Sequence, residues 1–105
     1  MKNSLTIKLI QNLFKPNDND KHVEPFFSED ENGVHLRPVA EIQSQKYTAD
    51  DFLTTAAELA YAGGNFGGVP FSISHEETLR RNQIALELYE LAVETQKAGL
   101  EIFSK

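Results

Sequence analysis

The chain has 105 residues and a mass of 11.8 kDa, so it has room for one domain with a modest core. Its hydrophobic fraction of 40% and charged fraction of 25% are typical of globular proteins and exclude a wholly disordered chain. The formal net charge of -6 argues against direct binding to a nucleic-acid backbone, which requires clustered Lys and Arg.

A short amphipathic helix is predicted at the start of the sequence. Ser4, a candidate N-cap, precedes apolar residues whose spacing suits one helix face: Leu5, Leu9, Ile10, Leu13 and Phe14. Pro16 would end this helix. Because the first apolar residues also alternate with polar ones, a strand is the alternative. Residues 16–25 contain one aliphatic side chain, that of Val23, and are predicted to form a flexible linker.

A β-hairpin is predicted around Asn32-Gly33, which is a favoured hairpin-turn pair. The candidate strands on either side contain Phe26 and Phe27, and Val34 and Leu36. Pro38 would end the second strand, because it cannot donate to a ladder. In the alternative, residues 36–45 are helical with Pro38 in the first turn, and the hairpin does not form. Residues 33–42 are therefore either strand or helix.

A middle helix is predicted over residues 49–62, because Thr48 is an N-cap candidate and two acidic residues follow shortly after it. The predicted core face of this helix consists of Phe52, Leu53, Ala56, Leu59 and Ala60. Gly63-Gly64 favours termination of the helix. The segment GGNFGG at 63–68 then predicts a mobile contact loop that presents Asn65 and Phe66 to a partner.

A long helix from His75 almost to the last residue is predicted by the capping box of Ser74 and Glu77. Its polar residues occupy a narrow arc: Glu87, Glu90, Glu94, Lys97 and Glu101. The remaining surface consists of a face with Ile84, Leu88, Leu91, Ala98 and Ile102, a small-residue seam with Ala85, Ala92 and Gly99, and a strip with Leu86, Val93 and Leu100.

So wide an apolar surface is unusual for a surface helix of a monomer. Small residues every seven positions would also allow a second helix to approach closely. We therefore predict a homo-oligomer whose interface contains Leu86, Val93 and Leu100. In the alternative, the helix is the central element of the domain and the other elements wrap it.

These elements predict one α+β domain over residues 1–105, with a short N-terminal helix, a small β-hairpin, a middle helix and a long C-terminal helix. An all-α bundle is the alternative. No apolar run approaches the roughly 20 residues of a membrane-spanning helix, and no cleavage signature is present near residue 1. A cytoplasmic protein that does not contact membranes is therefore expected.

The residues G-V-H-L-R-P at 33–38 resemble the phosphohistidine site of the HPr phosphocarrier family. The resemblance implies that His35, at a helix N-terminus, accepts a phosphoryl group and that Arg37 and helix N–H groups stabilise the anion. Leu36 and Val39 depart from the family pattern, which has small residues there. The chain beyond His35 is also too short for the family's intervening elements, so the resemblance is confined to this segment. A phosphocarrier using His35 is one alternative function.

Other catalytic and metal-binding patterns are not fulfilled. Without cysteine the chain has no thiolate ligand or nucleophile, and its three histidines lack metal-ligand spacing. Asp18, Asp20 and Glu29 match part of an EF-hand loop, but Val23 occupies its glycine position. The sequence lacks a Walker motif and a G-x-S-x-G elbow. We predict no catalytic, metal-binding or cofactor-binding residues.

By elimination, the sequence favours a non-catalytic acidic protein–protein interaction module that acts as an adaptor, regulator or inhibitor. Accessory proteins of phages and mobile elements include small acidic proteins of this kind. Glu29, Asp30 and Glu31, together with Asn65 and Phe66, are predicted to contact another protein that has a basic surface. A small structural subunit of an oligomeric assembly is a further alternative.

Overall fold

The computed structural model describes residues 5–14, 22–67 and 74–104. These residues form five helices and one two-stranded hairpin, so the predicted α+β class is confirmed, with helix predominating. In chain order the elements are α1 (Ile7–Leu13), α2 (Val23–Phe26), β1 (Phe27–Asp30), β2 (Gly33–Leu36), α3 (Val39–Ser44), α4 (Ala49–Phe66) and α5 (His75–Ser104).

The first element is the predicted helix rather than the alternative strand. Thr6 caps α1, because its hydroxyl oxygen accepts a hydrogen bond from the Leu9 N–H at 3.0 Å. The predicted cap Ser4 lies outside the described residues. Leu5, Ile10 and Phe14 are buried in the main core, so α1 packs with the rest of the domain.

The end of the predicted linker is helical. Residues 16–21 lie outside the described part of the chain, but residues 23–25 belong to α2. Val23 is completely buried in the core together with Phe26, which explains why a segment of low apolar content has regular structure here. The prediction that all of residues 16–25 lack a regular element was therefore wrong at residues 23–25.

The predicted hairpin forms, and its strands pair antiparallel from Phe27 opposite Leu36 to Asp30 opposite Gly33. Gly33 has φ of 122°, a conformation that glycine tolerates best, next to the turn. β2 ends before Pro38, which directly precedes α3. Residues 33–42 therefore contain both of the structures that the sequence left open, a strand followed by a short helix.

The middle helix α4 begins as predicted but continues to Phe66. Thr48 and Asp51 form a reciprocal capping box at its start. The predicted end at Gly63-Gly64 was wrong, because both glycines lie within the helix. Gly63 is buried against the Tyr89 ring, where an added Cβ would lie 3.0 Å from Cε1, so packing against α5 offsets the low helix propensity of glycine.

The predicted core face of α4 is also corrected in part. Phe52, Ala56 and Leu59 are buried as expected, whereas Ala60 is exposed. Thr55 and Ala62 are buried in addition. The buried face of α4 is therefore turned slightly from the predicted one.

The C-terminal helix α5 has 30 residues and begins after Ser74, whose hydroxyl oxygen accepts from the Glu77 N–H at 3.1 Å. At a rise of about 1.5 Å per residue it matches the 46 Å long dimension of the domain. α4 packs antiparallel along it, since Gly63 meets Tyr89 and Gly99 meets Phe52. A Cβ on Gly99 would lie 2.8 Å from the Phe52 Cβ, so the two helices approach each other closely.

Candidate functional site

The buried face of α5 holds the domain together. Ile84, Leu88 and Leu91 lie in the core, and the small residues Ala85, Ala92 and Gly99 are buried next to them. The close approach that these small residues allow is made by α4 of the same chain. The prediction that this seam admits a second chain is therefore replaced by an intramolecular role.

The opposite side of α5 carries a line of large apolar side chains that are exposed. We call them the α5 stripe, which consists of Leu79 (59% exposed), Leu86 (57%), Tyr89 (41%), Val93 (52%), Leu100 (48%) and Phe103 (67%). The predicted interface residues Leu86, Val93 and Leu100 all belong to it. A contiguous exposed patch of this kind is typical of an interaction surface.

The α5 stripe follows a heptad pattern. Its members and two polar residues, Asn82 and Gln96, alternate at spacings of three and four along the helix: positions 79, 82, 86, 89, 93, 96, 100 and 103. This is the spacing of the a and d positions of a coiled coil, which face a partner helix. The sequence pattern predicted the every-seven repeat of Leu86, Val93 and Leu100 but missed Leu79, which lies seven residues before Leu86. It also missed Tyr89 and Phe103, although each stands three residues after a member of that repeat.

The two borders of the α5 stripe differ chemically. Along one border lie the exposed polar residues Gln83, Glu90 and Lys97. Along the other runs α4, where Gly64 lies beside Tyr89 and an added Cβ would be 3.6 Å from the Tyr89 Oη atom. Ala57 and Ala60 are exposed on α4 at helical spacing from Gly64, and the half-buried Leu53 lies against Gly99 of α5. This side of α4 therefore combines small residues with one leucine. A large apolar centre with a polar rim is the usual anatomy of a protein interface.

The acidic turn of the hairpin is the second surface that the sequence predicted. Glu29 Oε1 accepts from the Ile7 N–H at 2.7 Å and so ties the hairpin to α1. Asp30 Oδ1 accepts from the Asn32 N–H at 2.7 Å and lies 3.1 Å from His35 Nε2. The Asn32 hydrogen bond, followed by the interaction with His35, lowers the pKa of Asp30, so its carboxylate stays charged further into the acid range than that of an ordinary aspartate. Glu31 is exposed at the turn.

Two predicted contact residues of the GGNFGG segment lie elsewhere than expected. Asn65 and Phe66 form the last turn of α4 instead of a loop tip. The Phe66 ring lies 4.3 Å from Arg81 Cζ of α5, a cation–π contact that fastens the two helices together. Asn65 borders a shallow groove between α1 and α4 that Asn12 and Tyr61 also line. The prediction of a mobile loop at residues 63–66 was wrong, and the rest of that segment lies outside the described residues.

His35 does not lie where the phosphocarrier resemblance implies. It is exposed in the middle of β2, opposite Ser28, and not at a helix N-terminus. The Arg37 Nε–H donates to the Glu24 carbonyl oxygen at 2.9 Å, and its guanidinium also pairs with Glu41. The arginine is therefore engaged in joining α2 to α3, and the two residues do not form the expected phosphoryl site.

Glu87 differs from the other acids of the predicted polar arc. It is only 5% exposed, and its Oε1 atom accepts from the Leu5 N–H at 2.8 Å. Its Oε2 atom accepts from Gln83 Nε2 at 2.8 Å. A buried carboxylate with such partners stabilises the contact between the N-terminal segment and α5. Its burial could not be read from the helical wheel, because the partner is 82 residues away.

Other features of the described residues bear on function. Among residues 5–14, 22–67 and 74–104, no group of three or more His, Cys, Asp or Glu is placed to hold a metal ion. Within the same part of the chain, no helix combines the length and apolar character needed to cross a membrane. Comparisons of the chain with known protein families, with curated proteins and with solved structures find no match.

Proposed function

We propose that this protein is a non-catalytic interaction module that assembles through the α5 stripe. One observation carries the proposal: six large apolar side chains are exposed in a single line on a helix whose other face already forms the core. Burying a fully exposed side chain of this size contributes roughly 1.5–3 kcal/mol, and covering these half-exposed side chains contributes part of that for each, so burial of several together favours association.

The shape of the surface favours a helix as the element that covers it. The a and d spacing of the α5 stripe continues from Leu79 to Phe103, and side chains at those positions pack into the holes of a facing helix. Since the chain itself supplies such a helix, we propose that the partner is another copy and that the protein is a homo-oligomer. The α5 stripe would serve equally in an adaptor, in a regulator and in a small structural subunit.

The acidic turn has a separate part in this proposal. Asp30 and Glu31 are exposed on the hairpin, and Asp30 is negatively charged at neutral pH, which is well above its lowered pKa. We propose that this turn contacts a second protein with a basic surface once the α5 stripe has joined the chains. Charges of this kind act mainly on the rate and specificity of association.

The test is the molar mass in solution by light scattering across a concentration series, for the natural chain and for Leu86→Glu and Val93→Glu. We expect a multiple of 11.8 kDa for the natural chain and a monomer for both variants. Glu94→Gln is the matched control, because Glu94 is exposed on α5 outside the α5 stripe. It should assemble as the natural chain does.

Circular dichroism of the same samples separates assembly from folding. Leu86 and Val93 are about half exposed, so both variants should keep their helical signal in dilute solution. A natural chain that stays at 11.8 kDa up to millimolar concentration would overturn the proposal. Assembly that persists unchanged in both variants would also overturn it.

A further inference from the structure

We propose that two copies pair through their α5 stripes in antiparallel orientation, with Glu90 of each chain beside the partner's Lys97. This inference rests on the proposed function and adds to it the number of chains, the direction of the helices and the residues that face each other. It follows from the order of apolar and charged residues along α5, from the small-residue border on α4 and from general coiled-coil geometry.

The spacing of the a and d positions from Leu86 to Phe103 is the same in both directions along α5. In an antiparallel pair of helices, an a position of one helix faces a d position of the other. Aligning the whole segment from Leu86 to Phe103 with its own reverse places Leu86 opposite the partner's Phe103, and Tyr89 opposite the partner's Leu100. Val93 then faces the partner's Gln96. This alignment covers every a and d position from Leu86 to Phe103 and leaves Leu79 beyond the paired segment. A shift by one heptad would cover Leu79 as well, but it would place Glu90 of each chain beside the partner's Glu90.

Charge complementarity supports the same alignment. The residues that directly follow the d positions flank the contact between the two α5 helices. In an antiparallel pair, these residues of one chain lie beside the same class of residues of the other chain. In the alignment given above, Glu90 meets the partner's Lys97, and Lys97 meets the partner's Glu90. Within one chain these two residues are seven positions apart, about 10 Å along the helix, so their opposite charges are better placed to interact between chains.

A parallel pair does not use these charges. In that orientation Glu90 and Lys97 would face the positions that precede each a position, where the sequence has Ala85, Ala92 and Gly99. Those positions carry no charge, and they are already buried by packing within the chain. The parallel arrangement would therefore direct two charged residues towards a border that α4 occupies.

The α4 border admits the antiparallel partner. In that orientation the α4 helices of both chains lie on the same side of the contact between the two α5 helices. The α4 residues that face each other across this side must therefore be small. On this side of α4, Leu53, which packs against Gly99, is half-buried, and Ala57, Ala60 and Gly64 are exposed. The separation of packed helices depends on side-chain size at the contact, and residues of this size allow the shortest distances. The result is a four-helix arrangement of two α4 and two α5 helices.

A charge-exchange experiment tests the pairing. We expect Glu90→Lys to weaken dimerisation about tenfold, because each of two symmetric attractive contacts becomes repulsive. Lys97→Glu should weaken it by a similar factor. The double exchange restores both contacts with reversed sign, so its dissociation constant should return to within about threefold of the natural value. The constants are measured by sedimentation equilibrium at low salt, with Glu94→Lys as the control for a change of net charge.

Disulfide trapping tests the orientation, since the chain contains no cysteine of its own. An oxidised mixture of Leu86→Cys and Phe103→Cys should form the mixed disulfide. Leu86→Cys alone should not cross-link, because in the antiparallel pair its two copies stand about 25 Å apart. Efficient cross-linking of Leu86→Cys alone would show a parallel pair and overturn this inference while the proposed function stands.

The remaining outcomes are equally decisive. If the dissociation constant of the dimer is unchanged in both Glu90→Lys and Lys97→Glu, the pairing of Glu90 with the partner's Lys97 is overturned. The proposed function is again unaffected. A natural chain that is monomeric at every concentration would overturn both proposals together. Restoration of dimerisation by the double exchange, combined with the mixed disulfide, supports the antiparallel pair.

Discussion

Two neighbouring strips of α5, the small-residue seam and the α5 stripe, differ in the size of their side chains more than in their apolar character. Small residues at positions 85, 92 and 99 are buried, and Gly99 lies against Phe52 of α4. The next residue in each case is larger and about half exposed: Leu86, Val93 and Leu100. Of these two strips, the one that becomes buried is the one whose side chains are small enough for α4 to pack closely against it. Large side chains at positions 85, 92 and 99 would hold α4 away, and the larger residues lie one position later, in the α5 stripe.

This division separates stability from assembly within one helix. Residues of the buried face should control the free energy of unfolding of the single chain, and residues of the α5 stripe should control association. The following variants are therefore compared in pairs, one from each environment. All unfolding measurements are made in dilute solution, where light scattering shows a single chain.

The largest difference is expected between Leu88→Ala and Leu86→Ala. Leu88 is fully buried, so its truncation leaves a cavity and should lower the free energy of unfolding by about 2–5 kcal/mol. Leu86 is 57% exposed, and the same truncation should change it by less than about 0.5 kcal/mol. Urea denaturation followed by circular dichroism measures both. Equal losses in the two variants would show that the faces of α5 are not distinct.

A smaller difference is expected between two acids, Glu87→Ala and Glu90→Ala. Removing the buried Glu87 carboxylate takes the acceptor from the Leu5 N–H and should cost about 1–3 kcal/mol. Glu90 is exposed, so its removal should change the free energy of unfolding by less than about 0.5 kcal/mol. Glu87→Gln keeps an oxygen acceptor, so its loss in the free energy of unfolding should lie between those of Glu87→Ala and Glu90→Ala. Faster hydrogen exchange at Leu5 in Glu87→Ala would identify this contact as the cause.

The capping and turn residues in the sequence correctly predicted where α4, α5 and the hairpin begin. Thr48 and Ser74 cap α4 and α5 as predicted, and the hairpin forms around Asn32-Gly33. Each depends on residues within a few positions, and this is the range at which capping and turn chemistry act. The same reasoning failed at Gly63-Gly64, because the helix continues there only through contact with Tyr89 from another helix.

The candidate surface was predicted in part for a related reason. The heptad repeat located Leu86, Val93 and Leu100, but three apolar strips of α5 were almost equivalent on the helical wheel. Which strip remains exposed depends on where α4 packs, and this is a property of the tertiary structure. For the same reason Leu79, Tyr89 and Phe103 were missed, and Glu87 was assigned to solvent although it is buried.

Two glycine substitutions should have effects of opposite sign. In Gly99→Ala the new Cβ would lie 2.8 Å from the Phe52 Cβ, so α4 must shift and the free energy of unfolding should fall by about 1–2 kcal/mol. In Gly64→Ala the new Cβ meets only the Tyr89 Oη atom, at 3.6 Å, and the gain in helix propensity should raise it by about 0.5–1 kcal/mol. Thermal unfolding measures both changes: the melting temperature should fall in Gly99→Ala and rise in Gly64→Ala. Stabilisation by Gly99→Ala would contradict the close packing of α4 on α5.

The smallest effect is expected at the hairpin turn, where Asp30 and Glu31 repeat the comparison between a side chain bonded within the chain and one exposed to solvent. The Asn32 N–H and then His35 lower the pKa of Asp30 below 3.8, the ordinary value for an aspartate, so its charged form stabilises the folded chain at neutral pH. Asp30→Asn should therefore lower the melting temperature slightly at pH 7, and Glu31→Gln should do so less. The Asp30→Asn difference should be complete above pH 3.8 and disappear as the pH falls through the lowered pKa. A difference that instead grew at acid pH would show that the neutral carboxyl is the form that stabilises the turn.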